Sequence, residues 1–505
     1  MDLREKKAGF EVGKIPFYLF AGILLIRLVA IGLMGPMPQD AYYFFYAQHP
    51  DLSYFDHPPA IAYLLKLFTW ILGKNVFAIK LADSILTALT CMAVYRLALK
   101  FFSKNQSQKI IILFLSTLMV SILSLVSTPD TPLLFFWTLS LLAFYKALFE
   151  EKKNWWLLAG ALMGLGFDSK YTAIFLPLGL FIFLLLNQPK RKLLLTVWPW
   201  LSFIIMVLVA SPIIIWNVRN HFASFAFQGS QRMHAVAELQ LKPKFILGLL
   251  GHQLLLLIPV LFISVLYACY KTIKIYGTSL RKIPETNLFL LYFFLPIFVA
   301  FLLLSPIYWI KINWMMPAYI TGIMLAASYI NKKWFNIQIV ISFIIHFGLL
   351  IQLLFYPVPV KSDDTWLGWE KLYYKVTQLK NEQHVDFVFS ADNYKTSAEL
   401  NLYSNYFIYG QNVIGQNALQ FDYIGTKLIT LNGKDAIYVD SDPDFKNDQP
   451  NTVPPVAIIP YFDSVTQLKP LIINEKGKAV RKFFIYLCRG YKFRPEKAAT
   501  DFLHN

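Results

Sequence analysis

The sequence has little charge, few cysteines and no repeated segment, and each shortage excludes a class of protein. Only 15% of its 505 residues are charged, whereas 56% are hydrophobic, which is too apolar for one soluble fold. The three cysteines are far apart, so their spacing predicts neither a disulfide framework nor a zinc knuckle. The lack of internal repeats or low-complexity tracts disfavours solenoids and inverted-repeat transporters. A polytopic membrane protein is the class that this composition favours.

The net charge of +17 is distributed in short clusters between apolar segments. Such clusters follow the positive-inside rule better than they fit a nucleic-acid surface, so no nucleic-acid partner is expected. The first apolar run has no small-residue cleavage site behind it, which predicts a first helix and not a removed signal peptide. The basic residues before that run place the N-terminus in the cytoplasm.

The alternation of apolar runs and basic clusters predicts about eleven transmembrane helices in residues 1–356. An odd number of spans from a cytoplasmic N-terminus puts the C-terminus on the outer side of the membrane. From residue 357 to 505 the composition becomes that of a soluble α/β domain, with strands in VDFVFSADNY and AIYVDSD and a helix in KTSAELNLYS. The predicted spans are Phe17–Met34, Phe77–Leu99, Ile110–Val126, Leu133–Phe149, two short passes within Trp155–Leu186, Leu193–Trp216, Lys244–Tyr270, Leu288–Leu304, Met315–Ile330 and Trp334–Tyr356.

The first external loop concentrates polar chemistry that a membrane protein otherwise avoids. Residues 39–60 contain three aspartates, two histidines and four tyrosines. Ionisable side chains beside a bilayer are costly, so this density favours a functional site over an ordinary solvated loop. Asp40 and Asp56 are sixteen positions apart, which suits one carboxylate acting as a base while the other orients a charged ligand or a metal.

Two further charged positions interrupt apolar segments. Asp130 lies in the short external turn STPDTP, where it is either a helix cap or a support of the active site, and these roles are compatible. Lys170 lies at a break between two short helices, where backbone and charge are tolerated if they line a cavity. Its ammonium either snorkels or pairs with Asp168, or it is a cation for a phosphate group.

The later external segments offer weaker candidates. His252 and Gln253 form either a helix-helix hydrogen bond or a metal or phosphate contact. In SPIYWIKINW, the set of Lys311, Asn313 and Trp314 predicts a sugar-binding corner, although a tryptophan at this depth is also a common membrane anchor. The basic loop 217–243, with Arg232 and His234, is either a wetted loop or a contact for an anionic lipid head.

The motifs together resemble the integral-membrane glycosyltransferases of GT-C fold, in the branch of protein mannosyltransferase-like enzymes, the lipid A aminoarabinose transferase and the lipopolysaccharide galacturonosyltransferases. The resemblance is carried by Asp40 in the first loop, by YFDHPP at 54–59, by the turn at Asp130 and by GLGFDSKYTA at 164–173. NWMMPAY at 313–319 is similar to a later family element. These motifs occur in the family's order along the membrane half of the chain.

The resemblance implies a membrane-bound transferase that uses a polyprenyl-phosphate sugar as donor and a glycolipid such as lipid A, or another cell-envelope molecule, as acceptor. It implies base-assisted inverting displacement, which agrees with the need for cations or a metal beside a phosphate leaving group. The roles that it implies are catalysis by Asp40 with Asp130; phosphate binding by Lys170, His57 and Tyr43; sugar or acceptor binding by Lys311, Asn313, Trp314 and Tyr54; and a divalent metal (Zn, Mn or Mg) held by Asp56 and His252.

The sequence departs from the aminoarabinose type at two points. Relatives of that type carry an arginine three residues after the loop aspartate and Glu-Lys before the double proline, whereas this chain has Tyr43 and Asp56-His57. The sequence leaves the donor sugar, the acceptor, the metal, the oligomeric state and the role of the C-terminal domain open. A lipid-linked sugar transporter or flippase would account for the helices equally well, and a protein O-mannosyltransferase-like enzyme is a further alternative.

Overall fold

A computed structural model describes residues 11–229, 241–277, 282–444 and 454–494. Arg232 and His234 lie outside these ranges. Internal contacts divide the chain into two units, Met1–Gly32 with Leu52–Leu350 and Leu33–Asp51 with Ile351–Asn505. The segment that carries Asp40 therefore groups with the C-terminal part of the chain, and the sequence boundary at residue 357 stays a prediction.

The first unit is helical, as its composition predicts. Within the described residues, six helices are long and apolar enough to cross a membrane, or up to eight if each bent pair counts as one span. The chain is thus a multi-pass membrane protein, whereas the count of eleven stays a prediction. The helices are α1 (Lys14–Leu33), α3 (Ala60–Leu72), α4 (Val76–Phe101), α5 (Lys104–Leu115), α6 (Leu118–Leu125), α7 (Asp130–Leu148), α8 (Asn154–Phe167), α9 (Phe175–Leu186), α10 (Val197–Val209), α11 (Ser211–Arg219), α12 (Lys244–Leu257), α13 (Pro259–Tyr276), α14 (Glu285–Tyr292), α15 (Leu295–Leu304), α16 (Ala318–Ala327) and α17 (Lys332–Phe355), while α2 (Pro38–Gln48) belongs to the second unit.

The predicted span Lys244–Tyr270 is wrong as one continuous helix. Ile258 adopts a positive φ of 68° between α12 and α13, and Pro259 follows it. Proline has no N–H for the preceding turn, so backbone groups at the break need other partners. Gln338 of α17 supplies them, because its side-chain amide donates to the Leu257 carbonyl (3.0 Å) and its oxygen accepts from the Leu261 N–H (3.1 Å).

The predicted span Ile110–Val126 is bent by 63° between α5 and α6. Carbonyl groups freed at the bend accept hydrogen bonds from the buried Arg27 guanidinium of α1, at 2.7 Å to Leu115 and 3.0 Å to Thr117. Arg27 also donates to the Ser121 hydroxyl (3.0 Å), which lies 2.7 Å from Nε2 of His346 on α17. The arginine thus satisfies backbone groups that lipid cannot.

Replacing Arg27 with Met is expected to lower the melting temperature of the detergent-purified protein clearly. The variant leaves the Leu115 and Thr117 carbonyl groups without their charged donor, and hydrogen bonds to charged groups contribute about 1.5–3 kcal/mol each. Thermal unfolding followed by tryptophan fluorescence measures the change. Arg96→Met, at an exposed position of α4, is the matched control, and equal melting temperatures for the two variants would contradict the role of Arg27.

The second unit contains a mixed sheet of six strands in its described part. The order is β2-β1-β3-β6-β4, with β5 paired to β6; β1 is parallel to β2 and β3, and β6 is antiparallel to its neighbours. The elements are α18 (Trp369–Glu382), β1 (Phe387–Ser390), α19 (Lys395–Tyr403), β2 (Ile408–Tyr409), β3 (Ala436–Asp442), β4 (Phe462–Gln467), β5 (Leu471–Glu475) and β6 (Lys478–Tyr491). The predicted strands and helix of this domain are confirmed as β1, β3 and α19.

An apolar core lies on each face of this sheet. Strand β1 is buried along its whole length, so its side chains contribute to both cores. The side chain of Arg481, in strand β6, is buried. Its guanidinium donates to the Thr365 hydroxyl (2.6 Å) and lies over the Trp369 ring. At the carboxyl end of β3, burial together with neighbouring carboxylates raises the pKa of Asp440 to about 6.

Candidate active site

The first unit buries an ion pair between two of the predicted site residues. The Lys170 ammonium lies 2.8 and 2.9 Å from the two carboxylate oxygens of Asp130, and both side chains are almost fully buried. Asn313 donates from its side-chain amide to the same carboxylate. Three sequence motifs that are far apart in the chain thus meet at one carboxylate.

Local sequence explains where the members of this ion pair lie. Helix α7 begins at Asp130, directly after Pro129, whose fixed φ suits a helix start. Pro129 forms no side-chain cap, and the Asp130 carboxylate accepts from Lys170 and Asn313. Lys170 follows the end of α8 with extended backbone, so its side chain leaves the helix at the break predicted from the sequence. The alternative that Lys170 pairs with Asp168 is wrong, because the structure pairs it with Asp130.

A glycine of α8, the helix before this break, allows α8 to lie close to α10. A Cβ atom on Gly164 would lie 2.6 Å from the Cβ atom of Val209 and 2.8 Å from the Met206 carbonyl oxygen. Small residues permit such close helix approach in membranes, where packing replaces the hydrophobic effect. Gly164 of the motif therefore allows α8, the helix that precedes Lys170, to pack against α10.

Side chains of α4 hold the segment that leads into Asp130, and none of them is among the site residues predicted from the sequence. The Lys80 ammonium donates to the Leu125 carbonyl, and the Ser84 hydroxyl donates to the Ser124 carbonyl (2.6 Å). Ser127 donates to the Asp83 carboxylate. The signal was present, since Lys80 and Asp83 are charged residues inside an apolar run, and such residues indicate a function by default.

The YFDHPP and GLGFDSKYTA motifs are also neighbours in space. The N–H of Ala60, at the start of α3, donates to the Asp168 carbonyl at 3.0 Å. Gln228 donates to the backbone carbonyl of Asp56 (2.6 Å), and the Tyr171 hydroxyl lies 2.6 Å from the Ser224 hydroxyl. The YFDHPP loop is thus hydrogen-bonded to the segment that carries Lys170.

Asp168 is a buried carboxyl group in the linker after α8, outside the helices that could cross a membrane. Its Oδ1 atom has no hydrogen-bond partner among the described residues. Burial disfavours the charged carboxylate and raises the pKa of Asp168 to about 7. This carboxyl group therefore titrates near neutral pH, two residues from the ion-paired Lys170.

The sequence predicts a divalent metal held by Asp56 and His252. Within the described residues, no group of three or more histidine, cysteine, aspartate or glutamate side chains could hold a metal ion. The His252 ring nitrogen Nδ1 lies 3.2 Å from the Ile310 carbonyl, which accounts for one of its two nitrogens. A divalent metal stays a prediction.

The predicted sugar corner is partly packed against protein. Trp314 is buried, and its ring stacks on Tyr308 with 5.7 Å between centroids. Lys311 is exposed, and Asn313 contacts Asp130 as described above. Gln253 accepts a hydrogen bond from the Tyr319 hydroxyl (2.9 Å), which confirms the helix-helix interpretation for that glutamine. Sugar binding at this corner stays a prediction, as does a role for the buried Tyr54 and the partly buried His57.

Asp40 lies in the second unit, as the third residue of helix α2. One of its carboxylate oxygens accepts a hydrogen bond from the Met37 N–H (2.8 Å), so the carboxylate is fixed at the start of the helix. Tyr43, on the same helix, is buried against Tyr42 and Tyr46. The roles assigned to Asp40 and Tyr43 from the sequence stay predictions.

Comparisons with known proteins identify the class to which this fold belongs. Residues 56–216 match the family model of dolichyl-phosphate-mannose-protein mannosyltransferase. The crystal structure of ArnT from Cupriavidus metallidurans bound to undecaprenyl phosphate matches with a TM-score of 0.60 at 13% identity, over 93% of this chain and 97% of that chain. The resemblance inferred from the motifs is confirmed, and the chain has the GT-C fold.

Two known transferases are similar to this chain in amino-acid sequence. Lipid A galacturonosyltransferase RgtD of Rhizobium johnstonii is 25% identical over 296 residues, which are 58% of this chain and 60% of the relative. The undecaprenyl phosphate-alpha-4-amino-4-deoxy-L-arabinose arabinosyl transferase of Pectobacterium atrosepticum is 29% identical over 179 residues, 34% of this chain and 31% of the relative. The chain thus spans less than two thirds of the length of either relative.

Proposed function

We propose that this protein is a membrane glycosyltransferase that moves a sugar from a polyprenyl-phosphate donor to lipid A, lipopolysaccharide or another cell-envelope acceptor on the periplasmic face of the inner membrane. The observation that carries the proposal is the buried Lys170 ammonium, held at a helix break by Asp130. The galacturonosyl- and arabinosyltransferase relatives support the donor and acceptor classes.

Lys170 is the group that we assign to the phosphate. A donor whose lipid tail stays in the bilayer presents its phosphate near the membrane surface, where the leaving group gains negative charge as the sugar is transferred. A fixed ammonium stabilises that charge most when its position is set before the reaction. Lysine has three N–H donors, and Asp130 accepts from Lys170 at both of its oxygens. Asp130 thus holds the ammonium in place, and Asn313 donates to the same carboxylate.

The reaction in this proposal is a direct displacement at the anomeric carbon. The acceptor hydroxyl oxygen forms a bond to that carbon while the bond to the phosphate oxygen breaks, and polyprenyl phosphate leaves. A base removes the hydroxyl proton, and we assign this role to Asp40 on its resemblance to the family's loop aspartate. The configuration at the anomeric carbon inverts.

The acceptor has a second candidate, because the matching family model is named for transfer to protein. Mass spectrometry of lipid A, surface glycans and envelope proteins from cells with and without the gene separates the two. Loss of a sugar from lipid A or core oligosaccharide supports the glycolipid acceptor, and loss of glycopeptides supports the protein acceptor.

The purified protein in nanodiscs separates a transferase from a transporter. A nanodisc has no enclosed compartment, so product forms from added polyprenyl-phosphate sugar and envelope acceptor only if the protein catalyses transfer. Product formation supports the proposal. Unchanged envelope glycans in the deletion strain, together with no product in nanodiscs, would exclude it.

A further inference from the structure

The C-terminal domain holds the helix that carries Asp40. Helix α2 lies in the same compact unit as residues 351–505. All of its side chains from Pro38 to Ala47 except that of Gln39 are buried. A helix of this length is not stable by itself in water, so its conformation depends on packing against other parts of the protein. The surface that buries part of this helix comes from the segments around α19 and β2.

Two stacked aromatic pairs are part of this contact. The ring of Tyr42 stacks on Tyr394 with 4.2 Å between centroids, and Phe45 stacks on Phe421 with 4.3 Å. The N–H of Gln420 donates to the Tyr42 hydroxyl at 3.3 Å. Stacked aromatic pairs prefer defined offsets and distances. They therefore fix the rotation of helix α2 about its axis in addition to attaching it to the domain.

Polar contacts at the start of the helix complete the attachment. Gln39, which precedes Asp40, donates to the Asp364 carboxylate at 3.0 Å, and Lys395 of α19 pairs with the other oxygen of Asp364 at 3.2 Å. A Cβ atom on Gly35 would lie 3.0 Å from the Trp366 carbonyl oxygen, so the chain entering the helix also lies close to this domain. The start of the Asp40 segment is thus held by residues beyond 351, and Phe45 toward its other end stacks on Phe421.

We propose that Tyr394 and Phe421 are positioning residues for Asp40, and that the C-terminal domain acts in the reaction by orienting this carboxylate toward the acceptor hydroxyl. This inference rests on the proposed function, because it takes Asp40 as the base. Misplacement of a reacting group by about 1 Å can cost about 100-fold in rate. The domain is therefore a part of the catalytic machinery and not only a binding surface.

Tyr394→Ala is the first test. It removes the ring that stacks on Tyr42, and kcat is expected to fall about 10- to 100-fold. The KM for the donor is expected to stay within about twofold of the wild type, because Lys170 and Asp130 are unchanged. Tyr394→Phe keeps the ring and retains activity. Tyr374→Ala, an exposed tyrosine of the same domain, is the matched control and leaves both constants unchanged.

Hydrogen-deuterium exchange gives a readout that does not depend on activity. In Tyr394→Ala and in Phe421→Leu, amide exchange is expected to rise in residues 38–48 and to stay unchanged in strand β3, which shows that the sheet remains folded. Unchanged exchange in residues 38–48 together with unchanged kcat in both variants overturns the inference.

Combination with Asp40→Asn separates this inference from the proposed function. If Tyr394 acts through Asp40, then Tyr394→Ala causes no further loss of kcat when Asp40 is already Asn. Additive losses overturn the positioning role. If Asp40→Asn alone keeps full activity, the base assignment of the proposed function fails, and the exchange experiment still decides whether the C-terminal domain holds the helix.

Discussion

Lys170→Met is expected to reduce sugar transfer by about 100- to 1,000-fold, the range found when one charge-stabilising donor is removed from an active site. The variant also leaves the Asp130 carboxylate buried without its cation, and breaking a buried ion pair destabilises proteins by about 3–5 kcal/mol. Initial rates with labelled polyprenyl-phosphate sugar measure the first effect, and the melting temperature in detergent measures the second.

A double variant distinguishes a catalytic lysine from a structural one. Asp130→Asn combined with Lys170→Met removes both charges, so most of the lost thermal stability is expected to return, because neutral replacement of a buried pair is often tolerated. Activity is expected to stay low, since the phosphate still lacks its cation. Lys104→Met, at an exposed position at the start of α5, is the control. Wild-type rates in the double variant would show that the pair is structural only.

Asp40→Asn is expected to lower kcat by about 100- to 10,000-fold, as loss of a general base does. The asparagine oxygen can still accept the hydrogen bond from the Met37 N–H, so the start of helix α2 is preserved. Donor binding, measured by tryptophan fluorescence titration with the polyprenyl-phosphate sugar, is expected to stay within about twofold of the wild type.

The control for this variant lies in the same loop. Asp51→Asn removes an exposed carboxylate three residues after the end of α2, and its rate is expected to match the wild type. If Asp40→Asn forms product at the wild-type rate, then Asp40 is not the base. If it loses donor binding and rate together, the carboxylate acts on the donor and not on the acceptor hydroxyl.

The sequence predicted the features that depend on local pattern. Residues DSK after a run of apolar residues marked the break that places Lys170, and the segment VDFVFSADNY predicted a strand that enters a loop, as β1 does. The side-chain partners of Asp130 could not be named from the sequence alone. They are Lys170 and Asn313, which lie 40 and 183 positions further along the chain.

A hydropathy pattern does not reveal a helix break at which distant side chains replace local hydrogen bonds. The span predicted at Lys244–Tyr270 contains a break because Gln338 of another helix satisfies the backbone there. The bend between α5 and α6 is likewise stabilised by Arg27, more than 85 positions earlier. A hydropathy pattern reports only apolar length, so a broken apolar segment and a straight helix have the same signal.

The sequence by itself determined that this protein is a multi-pass membrane protein with the motifs of a GT-C glycosyltransferase, because apolar length, basic clusters and short motifs are local properties. Only the tertiary structure decided that Lys170 pairs with Asp130 and that the Asp40 helix is packed against the C-terminal domain. The physical reason is that buried charges and aromatic rings are placed by partners far away in the chain, and the spacing of residues within one segment carries no information about those partners.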